Sequence, residues 1–238
     1  MSTESLRFLL TGVSPLLMHN SRLVDPLDPW SREIADITAK RHKTIADHER
    51  LAEAEWSGSL WLHNNKPCIP ATVIEGVLVA AARTRKRGAQ VRSGIVRPSH
   101  VRLSYVGPDS LGELWKDERF RLRTPARTPG GRVMRTRPQF LEWQAEVEVQ
   151  FLPSLVDADA VGEWLQLGGD LLGIGDFRPR FGRFKVERVL THSSIGSAPA
   201  GCDRSCQDSA WQGSVGSVRE ERKAPPPLAQ RKNGKGRT

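Results

Sequence analysis

Residues 142–151 alternate apolar and polar positions, with Trp143, Ala145, Val147, Val149 and Phe151 on one side, the cleanest strand pattern in the chain. Leu6–Val13 is a short apolar run bounded by Gly12 and Pro15, which predicts an opening strand. A loop over Ser14–Asp28 follows. Asp28 before Pro29, or Ser31 before Glu33, then starts a helix. Ile34, Ile37, Ile45, Leu51 and Trp56 recur at loosely helical spacing, so one long or broken surface helix is expected as far as Trp56. Ser59–Leu62 reads as a brief strand with Asn64-Asn65 as its turn. Thr72, with Glu75 three residues on, has the pattern of a capping box, and Val73–Arg85 reads as a core helix whose basic end suits the helix dipole.

Further strands are expected at 94–97, 100–106 and 118–123. The Pro- and Gly-bearing stretch 124–138 predicts an extended mobile loop. A helix capped by Asp157 or Asp159 runs through Leu172, and Phe181–Leu190 reads as the closing strand. Strand–helix–strand at each end of a strand-rich middle predicts an α+β fold. A ferredoxin-like or RRM-like core with long insertions, one of them a basic loop, fits that order. Beyond Leu190, Ser, Gly, Pro and charge dominate. Residues 1–190 are therefore read as the folded domain and 191–238 as a disordered basic tail.

Charge changes this picture more than composition does. The formal net charge is +9, and the tail, with eight basic and four acidic side chains, supplies less than half of it. Arg83–Arg102 holds seven basic residues and no acid, and Arg119–Pro138 holds seven arginines and no acid. A third group, Arg178, Arg180, Arg183, Lys185 and Arg188, contains one acid, Glu187. Three such runs in one domain point to a polyanionic partner, and arginine's planar fork suits phosphate. Gly173, Gly175 and Gly182 interleave the third run between the last helix and the last strand. A glycine-rich turn there is expected to leave backbone N–H groups open to a phosphate chain while Arg178, Arg180 and Arg183 neutralise it. Arg85, Lys86 and Arg87 are candidate phosphate contacts from the first run.

Gly173-Ile-Gly-Asp-Phe-Arg-Pro-Arg-Phe-Gly-Arg-Phe184 resembles the C-terminal glycine-rich loop of the RAMP superfamily of CRISPR-associated RNA-binding proteins. Cys68-Ile-Pro-Ala-Thr-Val-Ile-Glu-Gly-Val-Leu78 is similar to that family's Ile-Pro-then-helix segment. Leu6–Val13 with Ser14-Pro-Leu-Leu-Met-His19 resembles its opening strand and loop. The match also suggests phage or prophage relatives of the CRISPR backbone subunits. The resemblance covers roughly residues 6–190, is specific in the last loop, and departs from the family in the tail. It implies a ferredoxin-like core, a thumb protruding between strands, and a non-catalytic subunit that lines up along RNA or another single-stranded nucleic acid, with itself or with other subunits of a ribonucleoprotein. Arg123–Pro138 is then the thumb, with Met134 wedging between bases and Arg127, Arg132, Arg135 and Arg137 on phosphates. It also raises a second reading, in which His19, assisted by Arg22, is the general acid–base of a metal-independent endoribonuclease, although no Tyr or Lys pairs with it in a motif. A third reading is a protein–protein module in which the arginines meet acidic surfaces.

Other chemistries find little support. His42 and His48 are six apart, not the three or four that put two ligands on one helix face, and Cys202 and Cys206 fall in the tail. No phosphate-binding P-loop and no nucleophile or zinc-protease motif occurs. No metal or cofactor is expected. Three scattered cysteines, an N-terminus without a basic and apolar leader, and no apolar run long enough to span a bilayer predict a cytoplasmic protein free of membranes.

Overall fold

A computed structural model describes residues 2–98, 100–128 and 130–189; the expected tail, 191–238, lies outside them. In chain order the elements are β1 (Glu4–Gly12), β2 (Leu16–Leu17), α1 (Pro29–Ala39), α2 (Ile45–Ser59), β3 (Leu62–His63), β4 (Lys66–Ile69), α3 (Ala71–Arg83) and α4 (Gly88–Gly94). Then come β5 (Ile95–Pro98), β6 (Val101–Arg102), α5 (Leu111–Lys116), β7 (Arg121–Thr128), β8 (Gly131–Phe140), β9 (Gln144–Phe151), α6 (Ala158–Leu167) and β10 (Phe184–Val189). The class is α+β, and every strand pair is antiparallel.

The main sheet has the order β10-β1-β9-β5. Numbered by position in the chain, its four strands run 4-1-3-2, with α3 between the first and second and α6 between the third and fourth. The alternation of β9 explains its two faces. Val147 pairs with Phe8 and Ala145 with Leu10, and all four are buried beneath the helices. The helices bring Val77, Leu78 and Ala81 from α3 and Val161, Trp164 and Leu165 from α6 into the same core. The opposite face pairs Arg7 with Glu148, Leu9 with both Glu146 and Glu187, and Thr11 with Lys185. These positions carry mixed charge and no aromatic ring.

A second part of the core holds α2 to the β7–β8 hairpin. Trp56 of α2 donates its indole N–H to the Phe120 carbonyl at 2.8 Å. Phe120, Tyr105 and Phe140 meet edge to face, Tyr105 and Phe140 with centroids 4.9 Å apart.

Several expectations shift. The long surface helix is broken in two, and Asp28 does cap the first half, accepting from the Trp30 N–H at 2.9 Å. The strand expected at Ser59–Leu62 begins only at Leu62, because α2 continues to Ser59; it is β3 (Leu62–His63), and it turns at Asn64-Asn65 into β4 as expected. Thr72 is not an N-cap. Pro70 holds the extended conformation before the helix (φ −62°, ψ 145°), so α3 starts two residues earlier, at Ala71, without a side-chain cap. The strand expected at 100–106 shrinks to β6. At 118–123 Asp117 caps a tight turn, Glu118–Phe120, so β7 begins only at Arg121.

The largest correction concerns 124–138. It is not a loose loop. β7 and β8 pair in register from Arg121↔Pro138 to Thr128↔Gly131. Pro125 is tolerated because β7 is an edge strand, with β8 on one side and no strand on the other.

Candidate nucleic-acid interface

The glycine-rich loop leaves α6 through a π-helical turn, Gly168–Leu172, and the Gly173 N–H donates back to Gly168 at 2.8 Å. From there the loop is stitched to residues 13–17. The Gly182 N–H donates to the Pro15 carbonyl at 2.8 Å, the Asp176 N–H to Leu17 at 2.9 Å, and the Arg183 N–H to Ser14 Oγ at 2.9 Å. Gly182 (φ 73°) and Gly175 (φ 87°) permit this close approach. A Cβ on Gly182 would lie 1.7 Å from the Ile174 carbonyl oxygen, and one on Gly175 would lie 2.2 Å from that of Leu17. The expectation of open backbone donors is thus overturned for Gly173 and Gly182. These glycines let the loop pack on the fold, and their N–H groups are spent doing so. The side chains of Arg178, Arg180 and Arg183 do face solvent, with the Arg183 Nε–H donating to the Pro179 carbonyl at 3.0 Å.

In the hairpin the strand pleat divides the arginines between two faces. Arg123, Arg127, Arg132 and Met134 share one face, and all four are exposed. Arg127 lies directly across from Arg132. Like charges in that position repel, and no acid occurs between residues 119 and 138 to offset them. Among the described residues no hydrogen bond or ion pair engages the side chains of Arg123, Arg127 or Arg132.

Arg135 and Arg137 point the other way and are not free phosphate arms. Arg135 pairs with Glu55, a carboxylate only 2% exposed that also accepts the Thr136 N–H at 2.8 Å. Arg137, 8% exposed, pairs through Nε with Asp176 Oδ2 at 2.8 Å, and its Nη1 donates to Ser59 Oγ at 3.4 Å. β8 therefore ties α2 to the glycine-rich loop through two ion pairs.

His19 sits where these segments converge. The Met18 N–H donates to the Pro138 carbonyl at 3.0 Å, and the His19 carbonyl accepts the Trp61 indole N–H at 3.2 Å, which holds this loop against β8. His19 is exposed, yet partial desolvation and then the Arg137 guanidinium hold its pKa below that of a free imidazole. Asp176 and Glu55 pull the other way. Arg22 does not join it. Its Nε donates to Asp28 Oδ2 at 2.8 Å, bracing the start of α1.

The 85–87 run belongs to a different surface. Arg85 lies 3.5 Å from Glu163, and the Arg87 side chain bonds Gln90. With Asp159, Glu163 and Asp170, Arg85 lines a groove over α6 of about 570 Å³. Among the described residues no hydrogen bond or ion pair joins Arg85, Lys86 or Arg87 to the His19 cluster.

Sequence reasoning missed Glu55, Ser59 and Asp176. Glu55 and Ser59 are four apart on α2, which puts them on one stripe facing β8. Asp176 is the sole acid within 173–184, the one sign that a cation elsewhere would meet it. Among the described residues no three His, Cys, Asp or Glu side chains gather as a metal site. Cys68 is buried, which pushes its thiol up to about 11. No helix of the described residues is long and apolar enough to cross a membrane.

No protein-family model matches the chain, and no curated protein matches it either.

Proposed function

We propose that this chain binds single-stranded nucleic acid, RNA foremost, as a non-catalytic relative of the RAMP-superfamily CRISPR backbone subunits. The observation that carries this reading is the outer face of the hairpin, where Arg123, Arg127 and Arg132 stand unneutralised beside Met134, two of them directly opposed. Such a face offers three cations to an anion. Phosphate contacts position a strand without reading its sequence, and an exposed thioether suits contact with bases. The 4-1-3-2 strand order with its two intervening helices supports the reading of a ferredoxin-like core, and the hairpin between its second and third strands supports that of a thumb. The glycine-rich loop presents Arg178, Arg180 and Arg183 as a second set of cations.

The mode differs from that of an RRM, which stacks bases on aromatic rings of its sheet. Here the open face of the sheet carries Glu146, Glu148 and Glu187 and no ring, so the strand is assigned to the hairpin and loop instead. Titrating labelled single-stranded RNA by fluorescence anisotropy tests the reading. Binding at micromolar protein that weakens steeply with salt is expected. No salt-dependent binding in that range overturns it.

A second reading, endoribonuclease activity, gains one observation: His19 is held toward its neutral form beside Arg137 and Asp176. A neutral imidazole can take the proton of a ribose 2′-hydroxyl as that oxygen bonds to phosphorus and the bond to the 5′-oxygen breaks, the departing 5′-oxygen taking a proton from water, with Arg137 near the developing charge. RNA cleavage leaving a 2′,3′-cyclic phosphate, and lost in His19→Ala, is the result that reading requires. Intact RNA after long incubation removes it.

A further inference from the structure

A cavity of about 400 Å³ lies between α2 and the edge of β8 that β7 leaves unpaired, where side chains from both faces of the hairpin reach it; its walls are Lys43, His48, Leu51, Arg123, Met134 and Arg135. We propose that it is a binding site for one nucleotide unit, ring and phosphate together, taken either free or as one unit of a bound strand.

The lining has two chemistries side by side. Lys43, Arg123 and Arg135 bring positive charge against a single acid, Glu55, whose two oxygens are already used by Arg135 and the Thr136 N–H. Arg123 has no hydrogen bond or ion pair among the described residues, and Lys43 Nζ donates only to the Lys40 carbonyl, at 2.7 Å. The cavity therefore keeps a net positive charge that the fold itself does not answer. The other part of the wall is apolar. Leu51 comes from the stripe of α2 that also carries His48 and Glu55, and Met134 and Val133 are left 46% and 37% exposed.

A bare anion would satisfy the cations and leave the thioether and Leu51 in water. An apolar ligand would do the reverse and strand the charges away from water. A flat ring bearing a phosphate meets both needs, with the ring against Met134 and Leu51 and the phosphate toward Lys43 and Arg123. The volume falls in the lower part of the range of small-ligand sites, roughly 300–1,000 Å³.

The experiment has two arms. In the first, 2-aminopurine riboside monophosphate is titrated into the full chain and followed by its fluorescence, with inorganic phosphate and adenosine as half-ligands. Saturable binding with a dissociation constant below about 1 mM is expected, with each half-ligand at least about tenfold weaker. Ala52→Phe fills the cavity without touching a charge and should abolish the signal. Lys43→Ala, on the surface, should weaken binding about tenfold while the thermal melt stays unchanged, so a folding defect in Ala52→Phe does not decide the matter. The second arm, which rests on the function proposed above, uses a short single strand with one 2-aminopurine, whose fluorescence should rise on binding in the wild type and not in Ala52→Phe.

If the strand binds but neither probe responds to Ala52→Phe or Lys43→Ala, the site is overturned and the function stands. If the mononucleotide binds and both variants impair it while no strand binds, the site stands and the function falls. If neither probe binds, both are overturned.

Discussion

The glycine-rich loop and the β7–β8 hairpin look alike in sequence, each a run of arginines among glycines and prolines, and the fold treats them in opposite ways. In the loop the backbone is committed. Gly182 and Asp176 donate to the 15–17 segment, and the three arginines stay outside. In the hairpin the backbone is regular, and the pleat decides the fate of each side chain. Arg135 and Arg137 turn inward to Glu55 and Asp176, while Arg127 and Arg132 turn out. An arginine's availability to a ligand thus follows from alternation and local pairing. Density of charge in the sequence does not report it.

The sharpest break between the two regions is expected from a single methyl group. Gly182→Ala forces a Cβ onto the Ile174 carbonyl and should cost more than about 4 kcal/mol in urea unfolding, or yield no soluble protein. Gly130→Ala at the hairpin tip meets nothing within 4 Å and should stay within about 0.5 kcal/mol. Equal losses at the two sites would remove the distinction. Next in size is Glu55→Gln, which strands Arg135 beside a neutral partner and should cost about 3 kcal/mol. Combined with Arg135→Gln, the loss should be smaller than the sum of the single losses, and simple additivity would show that the pair is not coupled.

A smaller effect is expected from changing Arg178, Arg180 and Arg183 together to Ala. RNA affinity should fall roughly tenfold, with stability changed by less than about 0.5 kcal/mol, because these side chains are exposed. An unchanged affinity would confine binding to the hairpin. The smallest effect is at His19. Its folded pKa is lowered, so the unfolded chain binds protons more readily, and the folded state loses stability as pH falls through the free-imidazole value of about 6.5. The cost grows until pH passes the folded pKa and then levels off. His19→Asn should flatten that part of the stability–pH curve slightly, and an identical curve would place His19 outside the cluster's electrostatics.

Features written in local patterns were readable from the chain alone. Asp28 before Pro29 is a cap whose partners lie within two residues, and the alternation of β9 reports a face buried along its whole length. The hairpin was not readable as one. Pro125, Pro129, Gly130 and Gly131 carry a loop's composition, and what makes the segment a hairpin is pairing along an edge that tolerates proline. The ion pairs were hidden for a related reason. Glu55 and Arg135 are 80 residues apart, and Arg137 and Asp176 are 39 apart. Glu55 in particular reads as one more charge on a solvated helix until β8 is laid against it.

The central claim is that the outward face of the hairpin, and not the arginine content of the chain, grips the phosphates. It is tested most directly by the salt dependence of single-stranded RNA binding in the double variant Arg127→Ala/Arg132→Ala. The account predicts weaker binding, a log–log salt slope shallower by about 1.4 for two lost phosphate contacts, and a hairpin slightly more stable once the opposed charges are gone. An unchanged slope with unchanged affinity would contradict it.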